Sequence, residues 1–395
     1  DRAVGVLADL GGPKIRLGPI PGGSRNCTPG QQFRVVIMGS VGGGPNDLTS
    51  TYASLVRELK VGDDVLLADG TVSMRVETKT AEAAVCRVVQ PGEIRSGGGI
   101  NLPGVELEVA ALTEKDRTDL QWAAEHGVDF VGLSFVRRAT DVRELRQELQ
   151  HLKSSAQIVA KIEKPQAVAA LDEIIRESDA VMVARGDLGV EIDVARVPAV
   201  QKQIIQRCHQ ARVPVITATQ MLESMRSSRI PTRAEATDVA NAILDGSDAV
   251  MLSAETAMGQ YPVEAVTMMN RIAREAEQLL KPRFGRDYDT GSLASKTDFT
   301  ESLVEATSRM ADQVGARLMI VATRTGNTAL ILSKQRSKTP ILGISDNEAT
   351  VRRLSLYWGV TPLLAPHFPD SSQLLDHVSA WLKSHNLVSS GDRVI

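Results

Sequence analysis

From about residue 100 onward, a short apolar, β-branched run, a polar residue and an amphipathic stretch follow one another repeatedly. The runs cover 130–134, 158–163, 180–183, 215–219 and 249–252. Their spacing of ~25–35 residues is the length of one βα unit. The runs are apolar throughout rather than alternating, so each strand is expected to be buried on both faces, in a parallel sheet covered by helices. Val142, Leu145, Leu149 and Leu152 fall on one helical face. Thr113 and Asp116 have the spacing of a capping box, starting a helix that carries Leu120 and Ala124. A sixth run, 4–8, ends at Asp9. Polar residues close nearly every run, and the C-terminal ends of strands are where (β/α)8 barrels build their sites. The expected fold is therefore α/β, a (β/α)8 TIM barrel rather than an open sheet. Six strands do not close an eight-stranded barrel, and the series ends in a linker. The first two βα units are accordingly expected to precede Asp1, leaving the edge of strand 4–8 unpaired in this chain.

Residues 17–99 differ in kind. They hold 14 of the 31 glycines, with clusters at Gly42–44 and Gly97–99 that suit hinges. A strand is expected at 33–38, and a hairpin at 65–68 and 72–76 around Asp69-Gly70. This reads as a small β-barrel lid inserted into the barrel, whose parts are then 1–16 and 100–282. Residues 268–280 are helical in pattern, 281–298 polar and irregular, a linker. A C-terminal α/β domain, 283–395, follows, with strands at 318–322, 341–344, 360–364 and 394–395, the last cut short by the chain's end.

Apolar residues make up 43% and charged residues 24% of the chain, which excludes a mostly disordered protein. The 45 basic and 48 acidic residues leave no basic field for nucleic acid, and 3% aromatics are too few for base-stacking platforms. No run approaches the ~18 apolar residues of a membrane helix. Cys27, Cys86 and Cys208 lie far apart, without metal or disulfide spacing, and read as buried reduced thiols of a cytoplasmic protein.

The strand ends carry the chemistry. Lys161-Ile162-Glu163 puts an ammonium and a carboxylate on one face of a strand before the Pro165 turn. Alone, this pair also suits a structural ion pair. Arg185-Gly186-Asp187 ends the next strand, where Gly186 admits close backbone approach and Asp187 adds a second carboxylate. Two carboxylates with room for waters and substrate oxygens suit Mg²⁺; a turn capped by Asp is the plainer alternative. Thr219, Ser134 and Glu255 put polar groups at the neighbouring strand ends. Each alone could be a cap, but so many consecutive polar strand ends are harder to explain by structure.

The chain resembles the pyruvate kinase family over essentially its whole length. The resemblance rests on Lys161-Ile162-Glu163, on Met182-Val183-Ala184-Arg185-Gly186-Asp187-Leu188-Gly189 and on Ala218-Thr219-Gln220-Met221-Leu222-Glu223-Ser224-Met225. It rests also on Pro231-Thr232-Arg233-Ala234-Glu235, Asp238-Val239-Ala240-Asn241 and Met251-Leu252-Ser253-Ala254-Glu255-Thr256-Ala257. It implies a phosphotransferase of glycolysis, a cytoplasmic homotetramer that moves the phosphoryl group of phosphoenolpyruvate to ADP, giving ATP and pyruvate. It implies Mg²⁺ (or Mn²⁺) on Glu163 and Asp187, and Lys161 as a fixed cation against the phosphoryl and enolate oxygens. It also implies that the backbone of Gly186 and Asp187, with Thr219, holds the substrate carboxylate. Ser134 joins the substrate site, Thr219 the proton relay, and Arg16 the nucleotide phosphates.

Departures from the family pattern are informative. An Arg-x-Asn-x-Ser-His segment belonging to the second barrel strand is not found. Gly98 stands where the family has a lysine, and Lys164 where many members have Asn. Asp9 is followed by Leu10-Gly11-Gly12-Pro13-Lys14-Ile15-Arg16, with Lys14 at an acidic position of the potassium-dependent branch. The resemblance therefore implies a cation site of Asp9, Leu10 and Lys14 in which Lys14 replaces K⁺. Gly11 fits neither branch. The loop Thr323-Arg324-Thr325-Gly326-Asn327-Thr328, between a strand and a helix, has the hydroxyls and backbone N–H groups of a phosphate cradle for an allosteric effector. Two other classes compete. One is a metal-dependent lyase or aldolase of the barrel superfamily, which would lack the lid. The other is a degenerate binding module, against which the retention of Lys161, Glu163, Asp187 and Thr219 argues.

Overall fold

The computed structural model describes residues 3–37, 44, 46–105, 107–280 and 299–395. The linker expected at 281–298 lies outside the described residues.

Six parallel strands form a curled part-barrel: β1 (Leu7–Leu10), β10 (Phe130–Leu133), β11 (Gln157–Ile162), β12 (Ala180–Ala184), β13 (Val215–Ala218) and β14 (Ala249–Val250), hydrogen-bonded in that order. β1 and β14 are its edges among the described residues. The first strand starts later than the expected 4–8 and includes Asp9, because pairing begins at Leu7↔Phe130. Val4 and Val6, outside that pairing, stay exposed. The last strand stops at Val250 rather than at 252.

Both faces of these strands are covered, which is why they lack alternation. Val131, Leu133, Ile158, Ala160, Val181 and Val183 point outward onto Val142, Leu145, Ile174, Ile204 and Ile205 of the surrounding helices. Phe130, Val159, Ala180, Met182, Ile216 and Ala218 fill the inside. Each large aliphatic buried this way contributes about 1.5–3 kcal/mol before entropy is charged against it. The capping box at Thr113 and Asp116 starts the helix Glu114–Glu125. The stripe 142–149 lies on the helix Ala139–His151, with Leu152 just past its end.

Between β1 and β10 the chain builds a second unit. Strands β2 (Ser24–Cys27) and β8 (Gly92–Arg95) pair with each other, and β4 (Asp47–Leu48), β3 (Gln32–Val36), β7 (Ala83–Gln90), β6 (Val72–Lys79), β5 (Asp64–Leu67) and β9 (Ile100–Asn101) form one sheet in that order. Phe33, Leu55, Leu67, Val72, Met74 and Cys86 make its core. Ala68 joins the β5–β6 turn instead of the strand; Ala68, Asp69 and Gly70 all have positive φ (50°, 54° and 84°). The chain's entry and exit are bonded together: Ile100 N–H donates to Ile15 O at 2.9 Å and Leu17 N–H to Gly98 O at 2.8 Å. All three cysteines are free and buried, and burial pushes the Cys86 and Cys208 thiols up to about 12.

The C-terminal unit has a parallel sheet of β15 (Met319–Ala322), β16 (Ile341–Ser345) and β17 (Val360–Leu364). Val394 makes a single parallel bridge to Leu318 where a strand was expected. This unit grips the barrel's N-terminal end. Lys334 and Arg336 donate to Asp248 at 2.6 and 3.0 Å, and Arg352 donates to Asp129 at 2.9 Å. Among the described residues no helix is long and apolar enough to cross a membrane.

Candidate active site

The C-terminal ends of β1, β10 and β11 bring four predicted residues together, Asp9, Ser134, Lys161 and Glu163. Lys161 lies in β11 and Glu163 just past its end, two residues apart and so on one face. The Lys161 ammonium donates to Ser134 Oγ at 2.8 Å and to Asp9 Oδ2 at 3.2 Å, and lies 3.2 Å from Glu163 Oε1. Burial alone would pull the Lys161 ammonium down, but Glu163 and Asp9 together raise it, so it stays charged. The Glu163 side chain is 1% exposed. Burial pushes its carboxyl up and the like charge of Asp187 adds to this, against Lys161 and the Phe135 N–H. That N–H reaches Glu163 Oε2 at 2.7 Å. Phe135 adopts φ +56°, uncommon for so bulky a residue, and Gly12 makes room for it. A Cβ on Gly12 would meet Phe135 Cδ2 at 2.9 Å.

β12 runs straight into the helix Arg185–Glu191, with Ala184 as an N-cap lacking any side-chain acceptor. The first-turn N–H groups therefore look outward for partners. Gly186 N–H finds Thr219 Oγ1 at 2.8 Å, from the end of β13. Asp187 is half-buried in the same turn. Thr219 and Gln220 are both left-handed, at φ +69° and +54°. Such strain costs about 1–3 kcal/mol per residue and persists only when neighbours enforce it. Arg185 does so: its guanidinium donates to Thr219 O at 2.7 Å and Ala218 O at 3.2 Å, and is itself held by Asp238 at 2.7 Å.

The other predicted residues sit apart from this group. The Leu10 side chain is buried in the barrel core, so only its backbone can serve a cation. Lys14 is exposed, its Cε 3.8 Å from where a side chain on Gly99 would begin. Of the predicted cation site, only Asp9 belongs to the group, through Lys161. Exposed Arg16 donates to Gly97 O at 2.9 Å at the base of the inserted unit. The loop Thr323, Arg324, Thr325, Gly326, Asn327 and Thr328 belongs to the C-terminal unit, where Gly326 N–H donates to Thr323 Oγ1 at 3.0 Å before the helix Asn327–Lys334. Glu255 corrects the sequence reading. It is fully buried, its carboxylate taken by the Leu222 and Ser253 N–H groups at 3.0 and 2.8 Å, so it closes a local turn and offers nothing to the rim. Sequence reasoning quoted Arg185 without giving it a role and missed the Phe135 N–H. An arginine directly before Gly186 and Asp187 was a usable hint, whereas the left-handed turn at Phe135 left none.

Glu163 and Asp187 are the carboxylates the geometry offers to a divalent ion, and no cluster of three or more His, Cys, Asp or Glu side chains suited to a metal exists among the described residues. Two mutually repelling carboxylates at an open rim suit Mg²⁺, which keeps waters and substrate oxygens as further ligands.

The family model for the barrel domain of pyruvate kinase matches residues 1–266, and that for its alpha/beta domain matches 301–395. The chain belongs to the pyruvate kinase family. It is thus a phosphotransferase. The pyruvate kinase of Geobacillus stearothermophilus is 43% identical across 100% of this chain and 67% of its own length. That of Agrobacterium vitis is 40% identical across 100% of this chain and 81% of its own. A crystal structure of a pyruvate kinase from Cryptosporidium parvum superposes with a TM-score of 0.92 at 36% identity, covering 100% of this chain and 81% of that one.

Proposed function

We propose that the enzyme transfers the phosphoryl group of phosphoenolpyruvate to ADP at the rim formed by Asp9, Ser134, Lys161, Glu163, Gly186, Asp187 and Thr219. The observation that carries this is the half-buried Lys161 ammonium, held by Ser134, Asp9 and Glu163 on the edge of a carboxylate pair. A cation so fixed needs no reorganisation when charge develops on the oxygens in front of it. In the reaction the bond from phosphorus to the enol oxygen breaks, a bond to a terminal β-phosphate oxygen of ADP forms, and the enolate left behind takes a proton at its methylene carbon. Lys161 stabilises the moving phosphoryl and the enolate. The Gly186 and Asp187 N–H groups, with Thr219, hold the substrate carboxylate, and the Thr219 hydroxyl, freed from Gly186, belongs to the proton relay. Arg16 binds the nucleotide phosphates. Glu163 and Asp187 would hold a divalent ion, Mg²⁺ or Mn²⁺, which would supply Lewis-acid charge for the developing enolate.

The domain reading that goes with this is a barrel of 1–16 and 100–282, a lid of 17–99 closing over the rim and a regulatory unit of 283–395, in a cytoplasmic homotetramer. Lys14 replaces K⁺: its side chain swings from Gly99 toward Asp9, where an ammonium supplies the ion's unit charge from a tether. The loop 323–328 receives the phosphate of an effector. Thr325→Glu, which sets a carboxylate into that cradle, is expected to abolish activation by sugar phosphates while basal turnover persists.

The experiment for the whole reading is a coupled assay of the full-length enzyme. Pyruvate is expected to form only with phosphoenolpyruvate, ADP and a divalent ion together. Turnover of phosphoenolpyruvate without ADP would point to a different reaction. The whole-chain family match sets the lyase reading aside.

A further inference from the structure

The geometry points to Glu191 as a positioning residue that ties the inserted unit to both carboxylates of the rim, with Lys164 and Asn101 as its partners. This rests on the metal reading of Glu163 and Asp187 given above.

Glu191 closes the helix Arg185–Glu191, whose first turn carries Asp187. Its side chain is 2% exposed. Its Oε1 accepts from Lys164 Nζ at 2.5 Å and from Asn101 Nδ2 at 3.2 Å. Asn101 is part of β9, which pairs with β5 through Leu66↔Asn101, so it moves with the inserted sheet. Lys164 directly follows Glu163, and its ammonium also stands 5.6 Å over the ring of Phe135, the residue whose backbone N–H donates to Glu163. One carboxylate thus touches the exit strand that is bonded into the lid's sheet, the segment of Glu163 and the helix of Asp187.

A second contact lies beside it. The β5–β6 turn rests on Val190, and a Cβ on Gly70 would be 3.3 Å from Val190 Cγ1. The lid therefore bears on two adjacent residues at the end of a seven-residue helix. So short a helix moves as one body. A displacement of the lid that drags Glu191 also shifts Asp187, and through Lys164 it shifts the Glu163 segment. The lid's position sets the spacing of the two carboxylates, and a metal that fixes that spacing in turn orders the lid.

The test is made on the full-length enzyme with Mn²⁺ as the probe, its free concentration read by electron paramagnetic resonance, and with deuterium uptake of residues 64–79 read by mass spectrometry. Asn101→Ala and Lys164→Met are expected to weaken Mn²⁺ binding at least fivefold, although neither residue is a ligand. Both are expected to lose the slowing of lid exchange that Mn²⁺ brings to the native enzyme. Lys164→Arg, which keeps the charge, is expected to bind Mn²⁺ within twofold of native. Asn101→Ala removes one hydrogen bond, so it carries the test should Lys164→Met fail to fold. Faster lid exchange with Mn²⁺ affinity within twofold of native would make these contacts merely structural and overturn the coupling. Glu163→Gln is run alongside. If it too binds Mn²⁺ normally, the metal reading falls and the coupling with it; if it alone loses Mn²⁺, only the coupling falls.

Discussion

The two ends of the barrel use the same residue types to opposite ends. At the N-terminal end, Asp129, Asp179 and Asp248 each stand immediately before a strand. Each accepts an N–H at the start of a neighbouring strand: Val6 at 2.9 Å, Ile158 at 2.8 Å and Val215 at 2.8 Å. Each also meets a cation, Arg352, Arg146, or the pair Lys334 and Arg336. At the C-terminal end the groups are less settled: Glu163, although Lys161 and the Phe135 N–H reach it, is buried beside the like charge of Asp187, Thr219 and Phe135 are left-handed, and Lys14 has no partner among the described residues. Satisfied charges staple a fold, whereas frustrated ones wait for a ligand. What faces a carboxylate, rather than its burial, separates the two roles: Glu255 is as buried as Glu163, yet two N–H groups saturate it, whereas Glu163 faces the like charge of Asp187.

Removing charge should therefore do opposite things at the two ends. Glu163→Gln and Asp187→Asn are expected to lower turnover by about 10³-fold, the scale of losing one preorganised electrostatic contact. The melting temperature should hold or rise, since burial and Asp187 already disfavour the Glu163 charge and Lys161 keeps Asp9 and Ser134 as partners. The coupled assay and thermal denaturation check both halves. A variant that melts far below native would make Glu163 a structural ion pair, the alternative that the motif alone left open.

At the other end, Asp248→Ala is expected to cost about 3–5 kcal/mol, because it strands Lys334 and Arg336 in a site where both side chains are 2% exposed. Turnover per folded molecule should change little. The pH dependence has a definite sign. Burial would raise the Asp248 carboxyl, but Lys334 and Arg336 outweigh it and hold the group below the ordinary carboxylate range. Its contribution is then fully present above the unfolded value near ~3.9 and lost as pH falls through the lower folded one. Urea denaturation of native and Asp248→Ala protein should converge as pH is lowered toward that range. A gap that stays constant would assign the stabilisation to packing.

The sequence showed one end far better than the other. Lys161, Glu163, Asp187 and Thr219 sit in short motifs at strand ends, and two-residue periodicity is enough to put Lys161 and Glu163 on one face. The strand repeat and the glycine-rich insertion displayed the architecture in the same way, because both are local patterns. Asp129, Asp179 and Asp248 precede their strands just as visibly, yet their partners come from 21 to 223 residues away along the chain. No local pattern pairs Asp129 with Arg352. Glu255 misled for the same reason: a strand-end acid looks catalytic until the N–H groups that saturate it are seen. Leu10 and Lys14 share a segment with Asp9, but adjacency in sequence did not put their side chains beside it.

Lys14 allows a smaller test of the contrast. Two unit charges 4 Å apart repel by about 4 kcal/mol at an effective dielectric of 20, so an ammonium and a K⁺ ion exclude each other from one site. The enzyme is expected to run in tetramethylammonium buffers free of K⁺ and NH₄⁺, and Lys14→Glu to gain several-fold activation by K⁺. An intact enzyme that is inactive without K⁺ would leave Lys14 a surface residue beside Gly99.

The mildest effect belongs to Asp179, the staple whose cation comes from the barrel's own helix. Arg146 and Asp179 keep 35% and 28% of their side chains exposed, and Arg146 also donates to Glu177 O at 2.6 Å. A pair this open is worth about 0.2–1 kcal/mol, and salt screens it. The Ile158 N–H has no such access to water, and leaving it unmet costs about 1–3 kcal/mol. Asp179→Asn keeps an oxygen for Ile158 and gives up only the charge, whereas Asp179→Leu gives up both. Urea denaturation is expected to show Asp179→Asn within about 1 kcal/mol of native, its deficit shrinking at 1 M NaCl. Asp179→Leu should lie about 1–3 kcal/mol lower still, with the added loss insensitive to salt. If Asn and Leu cost the same, the ion pair and not the strand-to-strand hydrogen bond holds this end together. The three aspartates would then be anchors for cations first and register pins second.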